Sequence, residues 1–308
     1  MRGEPSWPVT INPGQKNHDN AAQTGMLVND TTASSCDERV RYWNAVARLL
    51  VEDHADALWR AHSDAVNVTL IGHWLPDNST GSLLKTDLFD EALGQGLYPL
   101  LASRAKRVVG VDLAVPILDA ASSRYPKLLA MWADVRFLPF SDGAFDIIVS
   151  NSTLDHFDSM ADLVGSLREL QRVLRPGSDW LLTIDNLANP IIGLRNRLPF
   201  KLLKRLGLLS YQVGATCGPR RLRRILTELG FEVLEMNALL HCPRILAVKL
   251  ARILKKHGNC VTQQRFLRHL MAFEHLARWP TRFLTGYFIA VRARKSSGPR
   301  VSGKQSGF

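Results

Sequence analysis

From Asp37 onward apolar residues recur at three- and four-residue steps, at Val40, Trp43, Val46, Leu49 and Leu50, which predicts an amphipathic helix. A second helical pattern runs through Ala57, Trp59 and AHSDAVNVTLIGHWLP, and the turn-rich PDNSTG at 76–81 closes this helical preface, taken as 36–82. Residues 1–35 are rich in Asn, Thr, Ser, Gly and Pro and lack apolar periodicity, so they read as a disordered tail.

Past the preface the period switches repeatedly between strand and helix. LLKTDLF (83–89) reads as a strand, and LGQGLYPLLASRA as a Gly-rich turn opening a helix. RVVGVDLA (107–114) is a short buried strand, VPILDAASSRYP a helix stopped by Pro126, and a third strand falls near 129–133. FDIIVSNST (145–153) has the unbroken aliphatic run that burial on both sheet faces requires. A helix over 159–174 ends at RPGSD, and WLLTIDN (180–186) supplies a fifth strand. This alternation implies a parallel sheet with helices on both faces.

After Pro190 the rhythm changes. Residues 191–217 are basic and partly amphipathic, and 219–229 form a helix stopped by Gly230. A strand is expected over 231–240, basic amphipathic helices over 244–257 and 262–278, and a last strand over 286–294. Residues 296–308 read as a second disordered tail.

Charge divides the 308 residues unevenly. Residues 1–190 hold 16 Lys+Arg against 24 Asp+Glu, whereas residues 191–308 hold 23 against 4. A basic second half suits phosphate, an anionic lipid surface or nucleic acid. The four cysteines, Cys36, Cys217, Cys242 and Cys260, show no paired spacing, which argues against a zinc site and a disulfide framework. No metal is expected. No signal-peptide segment or long apolar run is evident, and the unpaired cysteine spacing is consistent with a reducing cytoplasm, so a cytoplasmic location is expected, with peripheral membrane contact as an extension.

The candidate chemistry lies at strand ends. In a doubly wound sheet, ligands settle where the strand order reverses. The first strand leads into Asp90-Glu-Ala92-Leu-Gly94-Gln-Gly96, and Asp112 ends the second strand 18 residues after Gly94. A carboxylate there can accept hydrogen bonds from two ribose hydroxyls. Asp134 follows the third strand 22 residues later, placed to read an exocyclic adenine amine. Each aspartate alone is an ordinary loop residue or cap, but three such features at three successive strand ends form a pattern.

DEALGQG, VVGVDLA, ADVRFLPFSDGAFDIIVSNSTLDHF and RVLRPGSDWLLTID together resemble the motifs of class I S-adenosylmethionine (SAM) dependent methyltransferases, in the small-molecule "type 11" group. The likeness covers roughly 83–186, and its most specific part is the block from Asp134 to Asp146. It implies a Rossmann-like sheet of seven strands with the last antiparallel, forming a methyltransferase domain over 83–295. Basic lid insertions are expected near 191–217 and 241–285. It implies SAM as cofactor, with Asp90 near the methionine amino group and Asp112, followed by Leu113, at the ribose. Asp134 would meet adenine with Val135 beside the ring, and Asn151 would lie near the sulfonium. Ala92 stands where the family has a glycine, and Gly94 and Gly96 complete the turn. A dinucleotide-dependent dehydrogenase would leave Asp134 and its block unexplained, and no G-x-G-x-x-G is present.

Methyl transfer from a sulfonium needs in-line approach and exclusion of water, and a hydroxyl nucleophile also needs a base. His156 in LDHF is the first candidate, His241 in HCPR the second, and His62 could reach the acceptor if the preface folds over the site. A packing role is the alternative for each. The basic segments 195–211 and 244–258 could recognise a small-molecule or lipid-like acceptor or rest on an anionic membrane. In the second of them Ile245, Val248, Ile253 and Leu254 are expected on one side, with Arg252, Lys255 and Lys256 on the other. Simple solvated lid helices, an RNA or other nucleic-acid acceptor, and a non-catalytic SAM-fold binding or assembly protein stay open.

Overall fold

The computed structural model describes residues 30–52, 56–77, 80–206, 209, 211 and 213–297. Helices α1 (Asp30–Glu52) and α2 (Ala57–Trp74) precede strand β1 (Thr80–Lys85). Then come α3 (Phe89–Leu93), α4 (Tyr98–Arg104), β2 (Ala105–Asp112), α5 (Val115–Arg124), β3 (Leu129–Trp132) and β4 (Phe145–Asn151). A 3-10 turn at Leu154–His156 leads into α6 (Met160–Val173) and β5 (Leu174–Asp185). The basic half holds α7 (Pro190–Arg195), α8 (Phe200–Arg205), α9 (Pro219–Glu228), β6 (Phe231–Leu239), α10 (Arg244–His257) and α11 (Cys260–Ala272). A second 3-10 turn at Phe273–Arg278 precedes α12 (Arg282–Thr285) and β7 (Phe288–Lys295).

The seven strands form one sheet in the order β3-β2-β1-β4-β5-β7-β6. Every pair from β3 to β5 is parallel. β7 runs antiparallel to both β5 and β6, so the sheet is Rossmann-like with its last strand reversed. The order reverses between β1 and β4, which opens a crevice at their carboxyl ends.

The sheet is covered on both faces, which explains the continuous apolar runs. Along β4, Ile147 and Val149 join one core with Leu83 and Leu181, while Ile148 joins the other with Leu84 and Leu182. The first core gathers α2, α10 and α5 through Ile71, Ala247, Ala251 and Ile117. The second gathers α6 and α9 through Leu163, Leu167, Leu170 and Leu226. Helix α6 starts where Ser159 Oγ accepts the Asp162 N–H at 3.0 Å, and it buries Leu163, Leu167, Leu170 and Val173 at helical spacing.

Several boundaries differ from the sequence expectation. β1 ends at Lys85 rather than 89, because the chain leaves the sheet at Thr86 and winds into α3. β5 begins at Leu174, six residues before the aliphatic run, with an irregular register between Phe145 and Ile147. The helix expected at 262–278 starts at Cys260 and gives way after Ala272 to a 3-10 turn. Of the expected first tail, residues 30–35 already belong to α1, and 1–29 lie outside the described residues, as do 298–308 of the second.

Helix α10 also turns differently from its expected pattern. Its small residues Ala247 and Ala251 are buried, whereas Ile245 and Ile253 face outward beside exposed Lys249 and Lys256. Alanines allow α10 to lie close against α2, and that contact outweighs burial of the larger side chains.

Candidate active site

Past β1 the backbone folds over the end of β2. The Leu88 N–H donates to Asp112 Oδ2 at 3.0 Å, and the Leu88 side chain lies across Gly110. A Cβ at position 110 would sit 2.5 Å from Leu88 Cδ2, so a larger residue there would push the Leu88 side chain aside.

Beneath this loop lies a buried charged cluster. Lys85, at the end of β1, reaches Glu91 Oε2 at 2.9 Å and Asp87 Oδ1 at 3.6 Å, and donates to the Asp87 carbonyl at 2.7 Å. Glu91 Oε1 accepts the N–H groups of Leu97 and Tyr98 at the start of α4, at 2.9 and 3.1 Å. Asp64, from α2, accepts the Gly96 N–H at 3.0 Å. The glycines therefore admit the protein's own carboxylates: at Gly96, where φ is +60°, a Cβ would meet Glu91 Oε1 at 2.7 Å. A Cβ at Gly94 would meet Asp64 Oδ2 at 2.9 Å, and Ala92 is buried in the core.

Burial would lower the Lys85 ammonium, but Asp87, Glu91 and Asp90 overcome it and hold the group above its usual range. Burial together with the Asp90 charge pushes Asp64 up to about 7. Asp90 and Glu91 are also raised, chiefly by burial, although Lys85 pulls both the other way. Four carboxylates face Lys85, and Arg60 adds a second positive charge near Asp90, so negative groups still outnumber positive ones at the switch point, where a cationic ligand would be favoured. Among the described residues, no group of three or more His, Cys, Asp or Glu side chains is arranged to hold a metal ion.

The other expected cofactor residues surround this cluster. Asn151 Nδ2 donates to Asp90 Oδ2 at 3.0 Å, bringing the end of β4 onto α3, and Asn151 Oδ1 accepts from Thr183 Oγ1 at 2.7 Å. Asp112 also accepts the Ala114 N–H at 2.8 Å, and burial pushes it up to about 6 despite its two backbone donors. The Leu113 carbonyl accepts from Trp132 Nε1 at 3.0 Å. Asp134 is gripped by Arg136, whose Nη2 lies 2.5 Å from Oδ2, and Val135 is buried beside it.

The three histidines have different surroundings. His156 sits in the turn after β4, with Nε2 3.9 Å from Asp155 Oδ1 and a buried Nδ1 without a partner. Its ring meets those of Trp43 at 5.1 Å and Tyr211 at 5.5 Å. His241 commits both ring nitrogens, to Thr285 Oγ1 at 2.7 Å and the Ala238 carbonyl at 3.0 Å. His62 is fully buried against Trp59 and Cys242 Sγ, and burial pushes it down to about 4. The preface reaches the site instead through Trp43 and Asp64.

Sequence reading missed Asp64, Lys85, Glu91 and Asp155. Asp155 is buried, receives the Asp185 N–H at 3.2 Å, and is raised by burial and by the Asp185 charge. One residue away from Asn151, Ser152 adopts a left-handed φ of +55° and turns the chain sharply off β4. A lysine and a glutamate in apolar segments were the available signal, since such residues are buried only when paired.

Residues 90–182 match the family described as "Methyltransferase domain". A "Probable S-adenosylmethionine-dependent methyltransferase" of Mycobacterium tuberculosis is 26% identical over 195 residues, which span 63% of this chain and 63% of that protein. The "Malonyl-[acyl-carrier protein] O-methyltransferase" of Serratia marcescens is 35% identical over 91 residues, covering 29% of this chain and 34% of its own. Among solved structures, the [4+2]-cyclase SpnF shares the fold with a TM-score of 0.51 at 16% identity, over 87% of this chain and 95% of that one.

Proposed function

From a chain that carries a class I, S-adenosylmethionine-dependent methyltransferase domain of the type 11 group, we propose methyl transfer from SAM to a small-molecule or lipid-like acceptor. The observation that carries this reading is the acidic crevice at the β1–β4 switch point, where Asp64, Asp87, Asp90 and Glu91 are opposed by Lys85 and, at Asp90, by Arg60. SAM bears an ammonium and a sulfonium, and these cations suit that charge excess. When bound, it supplies a methyl group already activated for displacement.

The chain's own residues then have distinct tasks. Asp90, steadied by Asn151, receives the amino group, and Asp112 the ribose hydroxyls. Asp134 keeps acceptor capacity for adenine beyond its Arg136 pair, with Val135 against the ring. Gly94 and Gly96 shape the turn around Asp64 and Glu91 rather than around the cofactor. Trp43 and Tyr211 exclude water around His156, which takes the proton when the acceptor is a hydroxyl. His241 is held as a packing residue. Calorimetric titration with SAM tests the reading: binding is expected, and Asp112→Ala should weaken it about tenfold or more. Absence of binding, with no effect of Asp112→Ala, would instead favour a non-catalytic binding or assembly protein.

A second reading concerns where the acceptor resides. No helix among the described residues is long and apolar enough to cross a membrane. Helix α10 nevertheless presents Ile245, Leu246, Leu250 and Ile253 to solvent among lysines, the pattern of a helix lying on an anionic lipid surface. The segment 195–211 adds exposed Leu202 and Leu206 with Lys201, Lys204 and Arg205. Salt titrations against anionic vesicles and against RNA separate this from a nucleic-acid acceptor.

A further inference from the structure

We propose that Arg60 and Arg244 form a receptor for an anionic head group, a carboxylate or a phosphate, on an acceptor with an apolar body. This rests on the methyltransferase reading and names the class of acceptor it would serve.

The arginines of the helical cover fall into two kinds. Arg195 is paired with Asp185 at 2.5 Å, and Arg252 with Asp56 at 2.6 Å. Arg60 and Arg244 are both half-buried, yet among the described residues neither guanidinium has a carboxylate or hydrogen-bonding partner. Each rests on aromatic faces instead. The Arg60 guanidinium carbon is 4.7 Å from the centre of the Phe89 ring, and that of Arg244 is 5.8 Å from Trp59 and 5.9 Å from Tyr287. Arg60 feels the charge of Asp90 only beyond ion-pair distance, a half-buried cation with no carboxylate in contact is unfavourable, and stacking on a ring leaves the planar N–H edge free to engage an acid bidentately.

Two independent features point to the same space. Tyr287 is only 4% exposed; its buried hydroxyl faces the Arg244 backbone N–H, and among the described residues nothing accepts its own proton. Such a donor is costly unless something accepts from it. The Tyr211 ring is 6.5 Å from that of Phe89, and its hydroxyl lies in the field of both arginines as well as of Asp155 and Asp185. Tyr211 also packs on His156, so the head group would be held next to the reacting end of the cofactor. Trp59, Phe89 and Tyr211 offer the apolar walls.

The protein is titrated with decanoate, decyl phosphate and decanol below their micellar ranges, read by tryptophan fluorescence. Saturable binding of at least one anion is expected, with decanol weaker by about tenfold or more. The preferred anion identifies carboxylate or phosphate. Arg60→Gln and Arg244→Gln should each weaken that anion about tenfold, whereas Arg223→Gln on the exposed side of α9 should not. If Arg244→Gln does not fold, Arg244→Lys carries the test, since it keeps the charge but loses the planar fork. SAM calorimetry on Arg244→Gln separates the two readings: retained SAM binding with lost anion affinity supports the receptor. Equal affinity for decanol, no binding of either anion, or unchanged affinity in both arginine variants overturns it, whatever SAM does.

Discussion

The ammonium of Lys85 lies 2.9 Å from Glu91 Oε2, and both side chains are shut off from water, 1% and 0% exposed. Breaking a buried pair on one side leaves an uncompensated charge, which costs about 3–5 kcal/mol. Lys85→Met should show that loss in urea unfolding. Glu91→Gln should lose less, because its amide oxygen still accepts the N–H groups at the start of α4. The double variant should recover part of the loss, and a strictly additive result would refute the pairing.

Asp64 ties stability and cofactor affinity to pH. Its carboxyl is raised to about 7 in the folded chain, so the folded state holds a proton that the unfolded state has released. That contribution is full at acidic pH and is lost as pH climbs from about 4 to 7. Asp64→Asn should therefore gain in Tm relative to the parent between pH 5 and pH 8, and a constant difference would refute it. The same carboxylate attracts a cation only when ionised. SAM should bind more tightly at pH 8 than at pH 6, and Asp64→Asn should flatten that dependence in calorimetry.

The two histidines nearest the strand ends should respond in opposite ways. His156→Gln is expected to lower turnover of a hydroxyl acceptor by about 100-fold and to leave Tm near the parent's. His241→Gln breaks bonds to Thr285 and Ala238, so it should lower Tm and leave turnover of the folded protein near the parent's. Steady-state rates paired with thermal melts distinguish them.

Ile253 is 55% exposed on α10, so a charge there disturbs no packing. Ile253→Glu should leave Tm within about 2 °C of the parent and sharply reduce co-sedimentation with phosphatidylserine vesicles. Unchanged sedimentation would discount the lipid surface.

The sheet was legible because its central strands are buried on both faces, and FDIIVSN and VVGVD advertise that directly. The strand ends were less so. LLKTDLF alternates well enough for a longer strand, but Leu88 is drawn off the sheet by its contact across Gly110, a tertiary relation that no local pattern carries. Asp90 and Asn151 were singled out separately and meet in the structure. Asp64 could not be assigned, because its importance comes from α2 reaching Gly96 across 32 residues of chain. The outward turn of α10 was hidden for a related reason: its preference is set by how closely alanines let it approach α2.

The place of β7 bears on how the molecule is made. Among the described residues β6 has β7 as its sole neighbour in the sheet, and β7 also completes the hydrogen bonding of β5. On the ribosome, the parallel strands emerge with β5 as an open margin, and β6 follows with nothing to join. Only when residues 288–295 appear can both be closed in one step. A ribosome stalled before that point would display a long, sticky strand edge, so this nascent chain should depend on chaperones until β7 has emerged.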